Sequence, residues 1–146
     1  HMHPAADVPT LQLSVQPGRG ARHHLALGAA LAALPARGIL VVGSGHATHN
    51  LRDWMMHRRA PSPLPYVAAF AEWLAQRLAD DDREALAHWR ERAPEADRAH
   101  PSDEHFLPVL VALAAAGPHP VVTRAHRAVV DGALAMDAYR FDPLGA

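Results

Sequence analysis

The sequence predicts an α/β domain, with a mainly parallel or mixed central sheet flanked by helices in a three-layer-like arrangement. Three observations predict it. The segment Thr10-Leu11-Gln12-Leu13-Ser14-Val15 alternates apolar and polar residues with the period of a strand. Ile39-Leu40-Val41-Val42 is a wholly apolar run, as expected of a strand covered on both faces. Between them Arg22 to Leu34 is rich in Ala and Leu, with Leu27, Leu31 and Leu34 on one helical face. Strand, helix and strand in so short a span make a βαβ unit, whose strands run parallel through a right-handed crossover.

The elements follow in order. Pro17-Gly18 and Gly20 punctuate the first strand, and the first helix ends near Pro35, with Gly38 opening the next segment. Gly43-Ser44-Gly45-His46-Ala47-Thr48-His49-Asn50 leaves the carboxyl end of the second strand, the edge at which open α/β sheets bind ligands. A proline-rich linker, Arg59 to Pro65, separates that loop from a helix over Tyr66 to Ala79, where Val67, Phe70, Leu74 and Leu78 share a face. Asp81 or Asp82 caps a further helix, Arg83 to Arg92, that buries Leu86 and Trp89 and stops at Ala93-Pro94. His100-Pro101-Ser102-Asp103-Glu104-His105 is a loop leading into an apolar helix that runs to Ala116, with Pro108 in its first turn. Pro120 to Thr123 and Ala133 to Phe141 read as two closing strands.

Composition narrows the function classes. A chain of 146 residues suits one domain with a real core, and 49% hydrophobic with 20% charged residues is ordinary for a globular protein. A formal net charge of -1 favours neither nucleic acid nor an acidic membrane as partner. Without cysteine there is no disulfide framework and no thiolate metal site, so any metal is held by His, Asp or Glu. No apolar run approaches the roughly 18–20 residues of a membrane span, and the N-terminus does not resemble a signal peptide, so a cytoplasmic location is expected. His1-Met2 has the form of a cleaved tag remnant; residues 3–146 are expected to be one domain. The unusual count is 12 histidines. Histidine is both the commonest metal ligand and the commonest acid/base group near neutrality.

Two patterns can place that chemistry. Gly43 and Gly45 allow the backbone to turn sharply and approach a ligand, with His46 and His49 following. Neither a G-x-G-x-x-G motif nor a Walker lysine is present, which argues against phosphate binding. The same residues also read as a tight turn with solvated histidines. Glu104-His105 falls at a helix start, where free N–H groups disfavour a protonated imidazole and so favour a ligand or a general base. The competing reading makes Ser102 or Asp103 an N-cap and Glu104-His105 an exposed first turn. Trp54, Trp73 and Trp89 can stack on an aromatic substrate; the periodic positions of the last two fit packing.

Taken together these segments resemble one family. Gly43-Ser44-Gly45 with His49-Asn50-Leu51 is similar to the G-S-G-x-x-x-H-N-L signature of the class III extradiol ring-cleavage dioxygenases of DOPA-dioxygenase type, the group that includes the protocatechuate 4,5-dioxygenase catalytic subunit. Ala93-Pro94, Arg98-Ala99-His100-Pro101 and Glu104-His105-Phe106-Leu107-Pro108 resemble its A-P…A-H-P-x-x-E-H-x-L-P block. Ala135-Met136 with Tyr139-Arg140-Phe141 resembles its closing S-M-x-x-Y-x-F strand, with alanine in place of serine, and Val8 to Ser14 resembles the I-P-V-V-Q-L-S strand that begins the family's second half.

The resemblance implies extradiol cleavage of a catechol-type ring by O2 at non-haem Fe(II), with Zn(II) able to substitute. It makes His49 the acid/base and substrate-orienting residue. His105 becomes the metal ligand, with Glu104 the alternative ligand or the group beside it. Gly43, Ser44, Gly45, Asn50 and His100 become pocket residues, while His46 falls at a variable position outside the core set. In the family two further metal-binding histidines lie in an N-terminal half, and His3, His23 and His24 do not sit in such motifs. The chain is therefore expected to supply only the C-terminal half of the site, and to form a homo-oligomer or associate with a chain supplying the rest. Two other classes compete: a non-catalytic partner or degenerate homologue that binds a ligand or another chain, and a zinc hydrolase on His46, His49, His100 and His105. The hydrolase fits least, because His-x-x-His lacks the glutamate of H-E-x-x-H.

Overall fold

The computed structural model describes residues 4–59 and 62–144. The tag-like His1-Met2, His3, and two residues of the proline-rich linker lie outside the described residues. Among the described residues seven α-helices precede a small β region: α1 (Gly20–Ala30), α2 (Leu51–His57), α3 (Pro65–Ala79), α4 (Arg83–Ala87), α5 (Trp89–Arg92), α6 (Ala96–Ala99), α7 (Leu107–Ala115), then β1 (Val121–His126), β2 (Val129–Val130), β3 (Leu134–Ala135) and β4 (Ala138–Asp142). No helix among the described residues is long and apolar enough to cross a membrane.

The core lies between α3, α7 and the short helices that join them. Val67, Phe70, Leu74 and Leu78 of α3 are buried, as their spacing predicts, and meet Leu86, Trp89, Phe106, Leu107 and Leu110. Phe106 stacks on Trp89 with ring centroids 4.2 Å apart, and Phe70 meets both rings edge-on. Asp82 caps α4 by accepting from the Ala85 N–H. The expected helix from Arg83 to Arg92 is interrupted at His88, where φ -109 and ψ 31 leave the helical region. Helix α1 lies directly against α7. A side chain at Gly28 would place its Cβ 2.4 Å from the Val111 carbonyl oxygen, so only glycine allows this approach.

The strands differ from expectation. Among the described residues the sheets are two antiparallel pairs, β1 with β4 and β2 with β3, rather than one mainly parallel sheet. Thr10–Val15 and Ile39–Val42, expected as paired parallel strands, carry no ladder. Their apolar side chains face outward instead, Leu11 at 98%, Leu40 at 75% and Val42 at 73% exposure. The physical reason is that a buried central strand needs a hydrogen-bonding neighbour on each side, and the described chain places none there. The closing segment expected as one strand from Ala133 to Phe141 divides at Met136-Asp137. Its first part forms a hairpin around Asp131-Gly132, both at positive φ. Its second part joins β1.

Candidate metal centre

The G-S-G loop runs across α7 and is held by main-chain contacts that only small residues permit. A Cβ on Gly43 would lie 2.3 Å from the Pro108 carbonyl oxygen, and one on Gly45 would lie 2.1 Å from that of His105. Glycine there allows the loop to lie against the start of α7, and the His46 N–H donates to the His105 carbonyl at 3.1 Å. The following residues are fastened to three other segments. Ala47 N–H donates to Ala135 O, and the buried Thr48 hydroxyl donates to Ala133 O while accepting from Ala135 N–H, both at 2.8 Å. His49 N–H donates to Ala99 O at 2.8 Å. Asn50 accepts from the Asp53 N–H, capping α2, and its amide donates to Arg98 O.

This fastening brings together three histidines distant in sequence. The rings of His49 and His105 stack with centroids 3.6 Å apart, and His46 lies 5.1 Å from His49 and 5.0 Å from His105. One nitrogen from each falls within 4.8 Å of the others. All three are half-buried, and His46 and His105 line a cavity of about 750 Å³ that runs along Ile39–Ala47 and β4 beside Val109 and Ala112, with His49 stacked on His105. Burial and the neighbouring rings hold His46 and His49 below the usual histidine pKa, so both are neutral near pH 7. Neutral imidazole is the form that binds a metal or accepts a proton, and imidazole donors suit Fe, Zn, Cu and Ni. The donor set therefore fits a non-haem metal.

The other expected site residues fall around this cluster in different roles. Gly43, Ser44 and Gly45 line the cavity. Glu104 lies outside the convergent group. Its carboxylate accepts from the Ser102 hydroxyl at 2.8 Å, and it stays ionised because its own main-chain N–H, and then that bond, lower its pKa. Neither Ser102 nor Asp103 caps α7, whose N-cap position is Phe106; Glu104 and His105 form the turn before the helix rather than its first turn. His100 does not reach the cavity wall. It is fully buried beneath the loop, its Nε2 donating to Ala47 O at 2.9 Å, and burial drives its pKa down to about 4. Asn50 is likewise a buried brace.

Of the tryptophans, Trp89 is core and Trp73 packs at the edge of the core. Trp54 donates to Asp131 and lies under the Arg58 guanidinium. His24 is occupied by the main chain: its Nδ1 donates to Gly20 O and its Nε2 accepts from Gln16 N–H. His46 is the member of the cluster that sequence reasoning set aside. Its three-residue spacing from His49 was the available signal.

The chain is similar to known proteins over nearly its whole length. Residues 2–139 match the family model described as the catalytic LigB subunit of aromatic ring-opening dioxygenase. A 4,5-DOPA dioxygenase extradiol of Portulaca grandiflora is 39% identical over 144 residues, covering 96% of this chain and 51% of that protein. One from Escherichia coli K12 is 32% identical over 138 residues, covering 92% and 50%. The crystal structure of an uncharacterized Escherichia coli K12 protein superposes with a TM-score of 0.83 at 30% identity, over 94% of this chain and 57% of that one. The chain thus spans about half the length of the curated relatives it matches.

Proposed function

We propose, from the premise that the chain belongs to the family of LigB-type catalytic subunits of aromatic ring-opening dioxygenases, that it forms the C-terminal half of a site for extradiol cleavage of a catechol-type ring by O2. The observation that carries this reading is the convergence of His49 and His105 with His46 at one end of the G-S-G loop. His105 is the contribution of this chain to a non-haem Fe(II) site, and Glu104 is its ionised neighbour. A non-haem Fe(II) held through His105 would supply the redox chemistry that couples a catecholate to O2.

The protein residues do the remaining work. His49, neutral and stacked against His105, takes a proton from the catechol hydroxyl and later returns one to the ring-opened product. Thr48 and Asn50 on either side of it, and His100 under Ala47, keep the loop from shifting while the proton moves. Gly43 and Gly45 let the loop lie flat against α7, so that its main chain and the Ser44 hydroxyl line the cavity that a planar ring would enter.

The finer architecture belongs to the same reading. Thr10–Val15 and Ile39–Val42 become members of a mainly parallel central sheet once further strands lie beside them, completing a three-layer arrangement. Their outward apolar side chains and unpaired main chain support this. The partner is a segment supplying the N-terminal half, in the same longer chain or a separate one, and the setting is the cytoplasm.

Supplying that half in trans tests the proposal. Oxygen uptake with a catechol is expected for the mixture and not for either part alone. A mixture that assembles, binds Fe(II) and consumes no oxygen with any catechol overturns it. The second reading, a non-catalytic partner domain, is favoured by the exposed apolar edge at Leu11, Leu40 and Val42. That outcome of the same assay, association without turnover, would establish it.

A further inference from the structure

The proposed reaction leaves one contact in the cluster unused. The Nδ1 atoms of His46 and His105 face each other at 3.2 Å. Two imidazole nitrogens at that distance form a hydrogen bond only if one carries a proton and the other a lone pair. The pair is also fixed through the main chain, by the His46 N–H on the His105 carbonyl, in the place where Gly45 lets the loop lie against that carbonyl.

We propose that His46 is a positioning residue that sets the tautomer of His105, accepting its Nδ1–H so that the Nε2 lone pair of His105 is left for the metal. The inference rests on the reading of His105 as a metal ligand. If His46 were the donor, His105 would carry its proton on Nε2 while its Nδ1 accepted, and neither nitrogen could coordinate. If His46 were itself a ligand, it would fill a position that catechol and O2 need open. The remaining arrangement is the common one for metal-bound histidine, in which the far ring nitrogen donates to a fixed acceptor. Here the acceptor is a second imidazole, carried by the residue that follows the glycine pair.

Ring-nitrogen NMR on the ¹⁵N-labelled, metal-free chain tests this directly. His105 is expected as the Nδ1–H tautomer in the wild type and in His46→Asn, whose side-chain oxygen can take the same bond, and as mainly Nε2–H in His46→Ala. Zinc affinity of the chain reassembled with its N-terminal half, measured by competition with a chromophoric chelator, is expected to fall about 10- to 100-fold in His46→Ala. It should recover to within a few-fold in His46→Asn and stay unchanged in His119→Ala, which removes an exposed histidine. Finding Nε2–H His105 in the wild type, zinc coordinated at its Nδ1, or wild-type affinity in a folded His46→Ala overturns the proposal. His105→Ala separates the two levels. If it abolishes zinc binding while His46→Ala does not, only the role of His46 falls. If it leaves zinc affinity intact, the assignment of His105 as ligand fails and the inference with it.

Discussion

Replacing Gly45 with alanine sets a methyl group against the carbonyl of His105. The new Cβ would lie 2.1 Å from that oxygen and 3.0 Å from its carbon. Both obstacles are main chain at the entry to α7, so neither can rotate away. Relief requires the loop to lift by about 1 Å, which stretches the His46 N–H···O bond beyond hydrogen-bonding range. Overpacking of this kind costs about 1–3 kcal/mol, and the lost hydrogen bond adds about 0.5–1.5 kcal/mol. A drop in Tm of roughly 5–15 °C is expected for a chain of this length. Because the loop carries His46, which meets His105, zinc affinity of the chain reassembled with its N-terminal half should fall at least about tenfold, by the usual size of effects on groups that orient a ligand. Gly18→Ala is the control: nothing lies within 4 Å of its added carbon, and its effect should stay within about 0.5 kcal/mol. Thermal melts followed by circular dichroism, paired with chelator competition, read both quantities. A Gly45→Ala protein that melts with the wild type and binds zinc as tightly would refute the idea that this close approach fixes the site.

Thr48→Val keeps the shape but leaves the buried Ala133 carbonyl and Ala135 N–H unpaired; urea unfolding should show a loss of roughly 2–4 kcal/mol, and a loss below about 0.5 kcal/mol would contradict the bracing role. His100 gives a pH dependence. It stays neutral in the fold down to about pH 4, whereas the unfolded chain takes up a proton below about pH 6.5. Stability should therefore fall as pH drops between those values, by about 3 kcal/mol in total from this residue. His100→Gln, unable to titrate, should show a shallower slope in urea unfolding across the same range, and equal slopes would rule the effect out. In the reassembled enzyme His49→Ala should lose about 10²- to 10⁴-fold in turnover with metal content spared, while His105→Ala should lose metal. Elemental analysis beside oxygen uptake distinguishes these, and loss of metal in His49→Ala would reassign that residue as a ligand.

Much of the interior was legible because helical burial is a local periodicity. Val67, Phe70, Leu74 and Leu78 announce one face whatever they pack against, and Asp82 announces its cap through its own side chain. Family membership was legible for a related reason: Gly43-Ser44-Gly45, His49-Asn50 and Glu104-His105 are short segments kept in order along the chain. What those residues do with one another was decided elsewhere. Strand character at Thr10–Val15 and Ile39–Val42 is a statement about composition, but a strand exists only where another backbone takes its hydrogen bonds. The described chain offers none, and its ladders lie instead in two separate antiparallel pairs, β1 with β4 and β2 with β3. His100 reads as a pocket residue by its neighbours in sequence, yet its ring points into the core and holds Ala47. His46 reads as incidental, yet it meets His105 across 59 residues because Gly45 lets two backbones touch. Sequence determined which side chains were available and which stretches would coil; distances between histidines depend on loop closure and packing, which no local pattern encodes, and only the tertiary structure set them.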